Sequence, residues 1–250
     1  MLCLQKPIFL KQMLSRKTNL SLALLLCLVL ISGCAGLPAA YTAATSGTYK
    51  VRSGDTLYSI AFRYGLDYKS LAKINSIQPP YTIYADQILK LRGSARLPVA
   101  DSGPINRPTA KTTTKKIPPP VQVPNKPVGN WRWPLKGNVV SSFSLKNPVN
   151  KGIDIAGKKG DTVVAAADGV VVYAGGNLRG YGKLVIIKHN DSYLSAYGNN
   201  DSMLVKEGES VKAGKSIARV GKSAADVEML HFEIRRDGKP VDPMQYLPAS

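Results

Sequence analysis

Residues 93–130 hold eight prolines, repeated Thr and Lys, and no aromatic side chain. A stretch of that composition buries too little apolar surface to offset the entropy of ordering its backbone. It is expected to be a disordered Pro/Lys/Thr linker, partly extended as polyproline. The linker divides the 250 residues into a block at 48–92 and a block at 131–250. Two histidines and three cysteines set further bounds. One copy of the chain cannot build a zinc site of three imidazoles, and three cysteines exclude a disulfide-dense scaffold.

Lys6, Lys11, Arg16 and Lys17 precede an apolar run from Leu20 to Ile31, and no acid falls before Cys34. A basic region followed by a short apolar one reads as a secretory signal. The run is shorter than the ~20 apolar residues of a membrane span. It ends in Ile31-Ser32-Gly33-Cys34, which resembles the bacterial lipobox. That resemblance implies a signal peptide over 1–33, lipid on the Cys34 sulfur and a lipidated tether over 34–47. Ala35, standing where an Asp would retain a lipoprotein at the inner membrane, implies the outer membrane, with the chain facing the periplasm. Met13 would serve as a start as well as Met1.

Beyond residue 33 the chain carries 30 basic and 16 acidic residues, spread over all blocks. A basic balance often accompanies nucleic acid, but an exported lipoprotein meets little of it. Anionic peptidoglycan stems and lipid headgroups are the partners at hand, and no nucleic-acid partner is expected.

The first block reads strand, helix, helix, strand. Tyr49 to Arg52 alternates apolar and polar residues, and Asp55 or Thr56 caps a helix carrying Leu57, Ile60, Ala61 and Tyr64. Gly65 ends that helix, Tyr68 to Asn75 forms a second, and Ile83 to Leu91 returns as a strand. The run "YKVRSGDTLYSIAFRYGLDYKSLAKINSI" with "YTIYADQILKL" resembles the LysM domain along its length. The resemblance implies a small α+β (βααβ) fold that binds N-acetylglucosamine-containing glycan, here peptidoglycan. By it, Gly54, Asp55, Thr56 and Leu57 in the first turn and Ile83 and Tyr84 before the last strand carry the sugar. Ala85 departs from the glycine common at that place in the family.

The second block alternates β-branched runs with Gly and Asp-Gly turns. Expected strands cover Val163–Ala167 and Val170–Ala174 as a hairpin, then Lys183–Lys188, Tyr193–Tyr197, Ser216–Val220 and Leu230–Arg236. A mainly antiparallel β domain follows. "GIDIAGKKGDTVVAAADGVVVYAG", "GYGKLVIIKHND" and "LHFEIRRDGKPVDPMQYL" resemble the LytM-type, or lysostaphin-like, metallopeptidases. With the LysM block and the lipobox, the whole resembles the NlpD/YgeR group of outer-membrane lipoproteins.

Active LytM-type members hold zinc with a His, an Asp four residues on and the last His of a His-x-His pair, and use two further His in catalysis. Carried onto this chain, the ligand positions are Asn150, Asp154 and His231, and the catalytic positions are Asn199 and Met229. Asp154 and His231 persist; the other three are replaced. Catalytic zinc needs about three protein ligands, and a neutral amide is a poor one. No catalytic residue, metal or other cofactor is therefore expected, and the domain reads as a dead peptidase. Asp154, His231 and Asn150 are expected to remain as a hydrogen-bonded group under the groove, and His189 to be structural.

The NlpD/YgeR resemblance implies activation of N-acetylmuramoyl-L-alanine amidases during wall remodelling and daughter-cell separation. The expected partner-binding residues are Leu178, Arg179, Tyr181, Tyr197, Asn199 and Arg235. Two alternatives stand beside it: a murein metallo-endopeptidase with an atypical zinc site, and a passive wall-binding linker protein.

Overall fold

The computed structural model describes residues 47–92, 125–176 and 178–249. The signal region, Cys34 and residues 93–124 of the linker lie outside the described residues. The described residues belong to one compact unit. Among the described residues no helix is long and apolar enough to cross a membrane.

The first block contains β1 (Thr48–Lys50), α1 (Leu57–Tyr64), α2 (Tyr68–Ile74) and β2 (Ile88–Lys90). The two strands pair antiparallel, with Tyr49 opposite Leu89. Leu57, Ile60, Leu71 and Leu89 fill its core. Thr56 is the N-cap of α1. Its hydroxyl accepts from the Ser59 amide and the Ser59 hydroxyl accepts from its own amide, each at 3.0 Å. This reciprocal box satisfies two backbone donors that the first helical turn would leave open. Thr56→Ala is expected to lower stability by ~1 kcal/mol, read from the urea midpoint. The closing strand is shorter than expected: residues 83–87 form a turn in which the Gln87 side chain accepts from the Tyr84 amide, so pairing starts only at Ile88.

The second block is an antiparallel sheet built from β3 (Val139–Ser141), β4 (Ile153–Ala156), β5 (Thr162–Val164), β6 (Gly169–Gly175), β7 (Lys183–Lys188), β8 (Tyr193–Met203), β9 (Ser210–Val211), β10 (Ser216–Val220), β11 (Met229–Arg236) and β12 (Lys239–Val241). The main path runs β3-β4-β11-β8-β7-β6-β9, while β10 joins β5 to β8 and β12 flanks β11. The expected Val163–Val170 hairpin does not form. β5 pairs with β10 and β6 with β7 and β9. The Asp168 carboxylate instead accepts from Lys212 at 2.7 Å and from the Ala213 amide at 2.8 Å, which turns the chain away from β5. The packed chain also reaches further back than Trp131, since the Asn190 amide donates to the Lys126 carbonyl at 3.0 Å.

Strand alternation gives the sheet two apolar faces. On one, Val185, Ile187, Tyr197, Phe232 and Ile234 pack with Leu135, Val163, Val220 and Leu247. On the other, Leu184, Ile186, Leu194, Ala196, Tyr173 and Leu178 form a second cluster, which also contains Phe62 from α1. That is why β7 reads as a continuous apolar run rather than an alternating one: both its faces are covered.

His189 closes the first cluster. One ring nitrogen, Nδ1, lies 2.7 Å from the Asp168 carbonyl, and Nε2 lies 2.7 Å from the Ser195 hydroxyl. Since a carbonyl only accepts, Nδ1 carries the proton. Burial pushes this imidazole down to about 4, so it is neutral and structural.

Candidate functional site

β4 and β11 lie side by side with Asp154 opposite His231. The pairing brings the His231 Nδ1 to 2.7 Å from Asp154 Oδ1. Gly152, two residues before Asp154, makes the approach possible: a Cβ there would run into the Phe232 carbonyl. Asn150 donates its amide to Asp154 Oδ2 at 3.1 Å and to the Ser141 hydroxyl at 2.9 Å, while its amide oxygen accepts from the Gly152 amide. The second imidazole nitrogen, Nε2, faces Glu233 Oε1 at 3.1 Å.

Glu233 is fully buried and is the hub of the site. Besides His231 it accepts from the Tyr181 hydroxyl at 2.8 Å and from Arg235 Nε at 2.8 Å. Burial works against both charges in this pair, but the partners outweigh it. Asp154 and Glu233 hold the His231 imidazole up at about 9, and Arg235 and His231 hold the Glu233 carboxyl well below its ordinary range. At neutral pH His231 is therefore an imidazolium clamped between two carboxylates. Sequence reasoning passed over Glu233, although the signal was there: in a strand His231, Glu233 and Arg235 fall on one face.

An open groove of about 620 Å³ lies above this floor. Its walls are Ser141, Ser142, Ser144 and Pro148–Lys151 on one side, Ser223–Ala225 and Met229 on the other, with Gly180, Tyr181 and Asn199 closing it. Val149 in the wall is 59 % exposed, and Val140, Leu145 and Val227 nearby are exposed as well, so the rim is apolar while the floor is charged. Lys151 faces the groove with its amine pulled below the ordinary value by partial burial and by Arg235.

The expected partner-binding residues separate here. Tyr181 and Asn199 line the groove. Arg179 is exposed but is not part of the wall. Leu178, Tyr197 and Arg235 are corrections. Leu178 is buried in the second apolar cluster. Tyr197 is sealed in the opposite cluster, its hydroxyl taking the Ala166 amide at 2.8 Å. Arg235 is 1 % exposed and holds Glu233, so it offers nothing to a partner carboxylate. In the LysM block Leu57 is core rather than contact surface. The Asp55 carboxylate is taken up by the Tyr49 hydroxyl at 2.6 Å, the Arg52 amide and Arg63. Gly54 and Tyr84 are exposed, and Thr56 and Ile83 are half-buried.

As arranged here, Asn150, Asp154 and His231, the positions to which the LytM resemblance assigns the zinc ligands, do not fit a zinc ion. Here the two would-be ligands Asp154 and His231 bond to each other, and the Asn150 amide presents N–H groups rather than its oxygen to the pocket. Among the described residues no group of three or more His, Cys, Asp or Glu is placed to hold a metal ion.

A groove floored by an Asp–His pair on adjacent antiparallel strands, beside a βααβ unit, defines a LysM protein with a metallopeptidase-type domain. Residues 148–243 match Peptidase family M23 and residues 49–92 match the LysM domain. A protein named Lipoprotein NlpD/LppB homolog, from Pseudomonas aeruginosa, is 48 % identical over 245 residues, covering 87 % of this chain and 82 % of that one. Uncharacterized lipoprotein YgeR of Escherichia coli is 45 % identical, covering 93 % of this chain and 94 % of its own length. Murein hydrolase activator NlpD of Escherichia coli is 39 % identical, covering 82 % and 68 %. The chain belongs to this NlpD/YgeR family of lipoproteins with LysM and M23 domains.

Proposed function

We propose that the protein is an outer-membrane lipoprotein, anchored through Cys34, that binds peptidoglycan and activates periplasmic N-acetylmuramoyl-L-alanine amidases without hydrolysing the wall itself. The observation that carries this reading is the Asn150–Asp154–His231–Glu233 floor, whose donors and acceptors are spent on one another beneath an open, apolar-rimmed groove. Such a groove has lost the means to polarise water and kept the means to bind an extended or helical segment. The activator name borne by the 39 % identical relative supports it. Binding acts by population: a surface that prefers the open form of an autoinhibited enzyme shifts it toward that form. Moving the balance from 1:99 to 99:1 takes a preference of about 5.5 kcal/mol. Gly54, Thr56, Ile83 and Tyr84 of the LysM block supply the glycan contact.

The test adds the full mature chain to dye-labelled sacculi with each purified periplasmic amidase in turn. Dye release is expected to rise with an amidase and to stay at background with the chain alone. No rise with any amidase overturns the reading. Zinc retained through dialysis, together with cross-links cleaved by the chain alone, would instead establish the endopeptidase alternative.

A further inference from the structure

The groove and the LysM block share one face of the sheet. Along β11 the side chains of that face are His231 in the groove floor, then Glu233, then Arg235. Arg235 Nη1 donates to the Phe62 carbonyl of α1 at 2.5 Å, and its guanidinium lies 3.4 Å from the centre of the Phe62 ring. Phe62 is 2 % exposed and packs in the same cluster as Leu184, Ile186 and Leu194. Its ring also meets the Tyr181 ring edge-on at 5.3 Å. Around this centre Lys69 pairs with Asp191 at 3.0 Å, Lys188 sits over the Tyr68 ring, and the Gly238 turn lies against the backbone of Leu66 and Asp67.

We infer that the LysM domain docks on the M23 sheet as the support of the groove wall, with Arg235 and Tyr181 as the positioning residues that transmit its docking to the groove. Two of the partners of Glu233, Tyr181 and Arg235, are themselves held by Phe62. Tyr181 closes the groove, and its carbonyl accepts from the Asn199 amide at 2.8 Å, so both groove residues on this side are tied to the docked helix. The apolar cluster gives the contact its stability: without Phe62 the sheet would expose a large apolar patch to water, which folded domains avoid. The linker over 93–124 keeps the two parts at high effective concentration, so even a modest interface stays closed. Docking uses the junction of α1 and α2, whereas Gly54 and Tyr84 remain exposed, leaving the glycan face free while the groove is supported. This inference rests on the proposed function only for what the groove binds, not for the docking.

Two variants of the full mature chain test it. Phe62→Ala removes the knob from the LysM side. Gly238→Asn acts from the other side: its φ of +78° suits Asn better than other residues with a side chain, but any Cβ there drives into Leu66. Small-angle scattering is expected to show a compact wild type and expanded variants. Amide exchange at Tyr181 and Asn199 is expected to quicken in both variants, while β4 stays protected. Amidase stimulation is expected to fall several-fold, with binding to sacculi unchanged. A wild type that scatters as two separated bodies overturns the inference, as does undocking that leaves Tyr181 and Asn199 exchange or amidase stimulation unchanged. If no amidase responds even to the wild type, the proposed function fails, and scattering and exchange still decide the docking.

Discussion

Replacing Glu233 by Ala is expected to cost about 3–5 kcal/mol of stability, the range for breaking a buried ion pair from one side. Glu233 is fully buried, and Arg235, 1 % exposed, sits beside it. Without the carboxylate the guanidinium keeps its charge, cannot reach water, and loses the 2.8 Å bond at Nε. His231 and Tyr181 lose a partner in the same stroke. Removing both charges tells a different story: Glu233→Met with Arg235→Met deletes the orphan along with its partner, so the double variant is expected to be more stable than Glu233→Ala. Urea midpoints at pH 7 read both values. A Glu233→Ala chain within 1 kcal/mol of wild type would mean that water reaches this part of the sheet, and the account of the groove floor would fail with it.

The second large effect is on pH. His189 is held neutral, its pKa lowered from 6.5 to about 4. The unfolded chain binds a proton at this residue between those values and the folded chain does not. Stability is therefore fully present above pH 6.5 and is lost as pH falls toward 4, by ~3 kcal/mol. His231 has the opposite sign. Its folded value is raised to about 9, so its contribution is complete below 6.5 and disappears as pH rises through 9. The two together place the stability maximum near pH 6.5. Denaturant titrations from pH 4 to 9 test this. The acid slope is expected to flatten in His189→Gln and the alkaline slope in His231→Gln. An unaltered acid limb in His189→Gln would show that the carboxylates alone govern acid unfolding.

Much of this was open to reading because it depends on local pattern. The helix start at Asp55 or Thr56, the left-handed stop at Gly65 and the Asp237-Gly238 turn are each fixed by a few neighbouring residues, and the structure then selects Thr56 as the cap. The expectation that Asn150, Asn199 and Met229 stand where active LytM-type members have histidines rests likewise on side-chain identity at matched positions. The failures share a cause. Val163–Val170 carries a sound hairpin signal, but β5 finds β10 some fifty residues away and Asp168 is drawn to Lys212. Tyr197 and Arg235 lie near groove residues in sequence and are expected in its lining; strand alternation turns the first into the opposite core and burial locks the second onto Glu233.

Composition and motif alone determined that there are two folded blocks, one LysM-like and the other of the M23 type. Only the tertiary structure decided how the floor of the groove is built. An ion-paired cluster centred on a glutamate not singled out in the sequence appears because β4, β11 and the Tyr181 loop converge from distant parts of the chain. It likewise decided that the LysM block covers a face of the sheet, since a contact between Phe62 and Arg235 leaves no periodic trace in either segment.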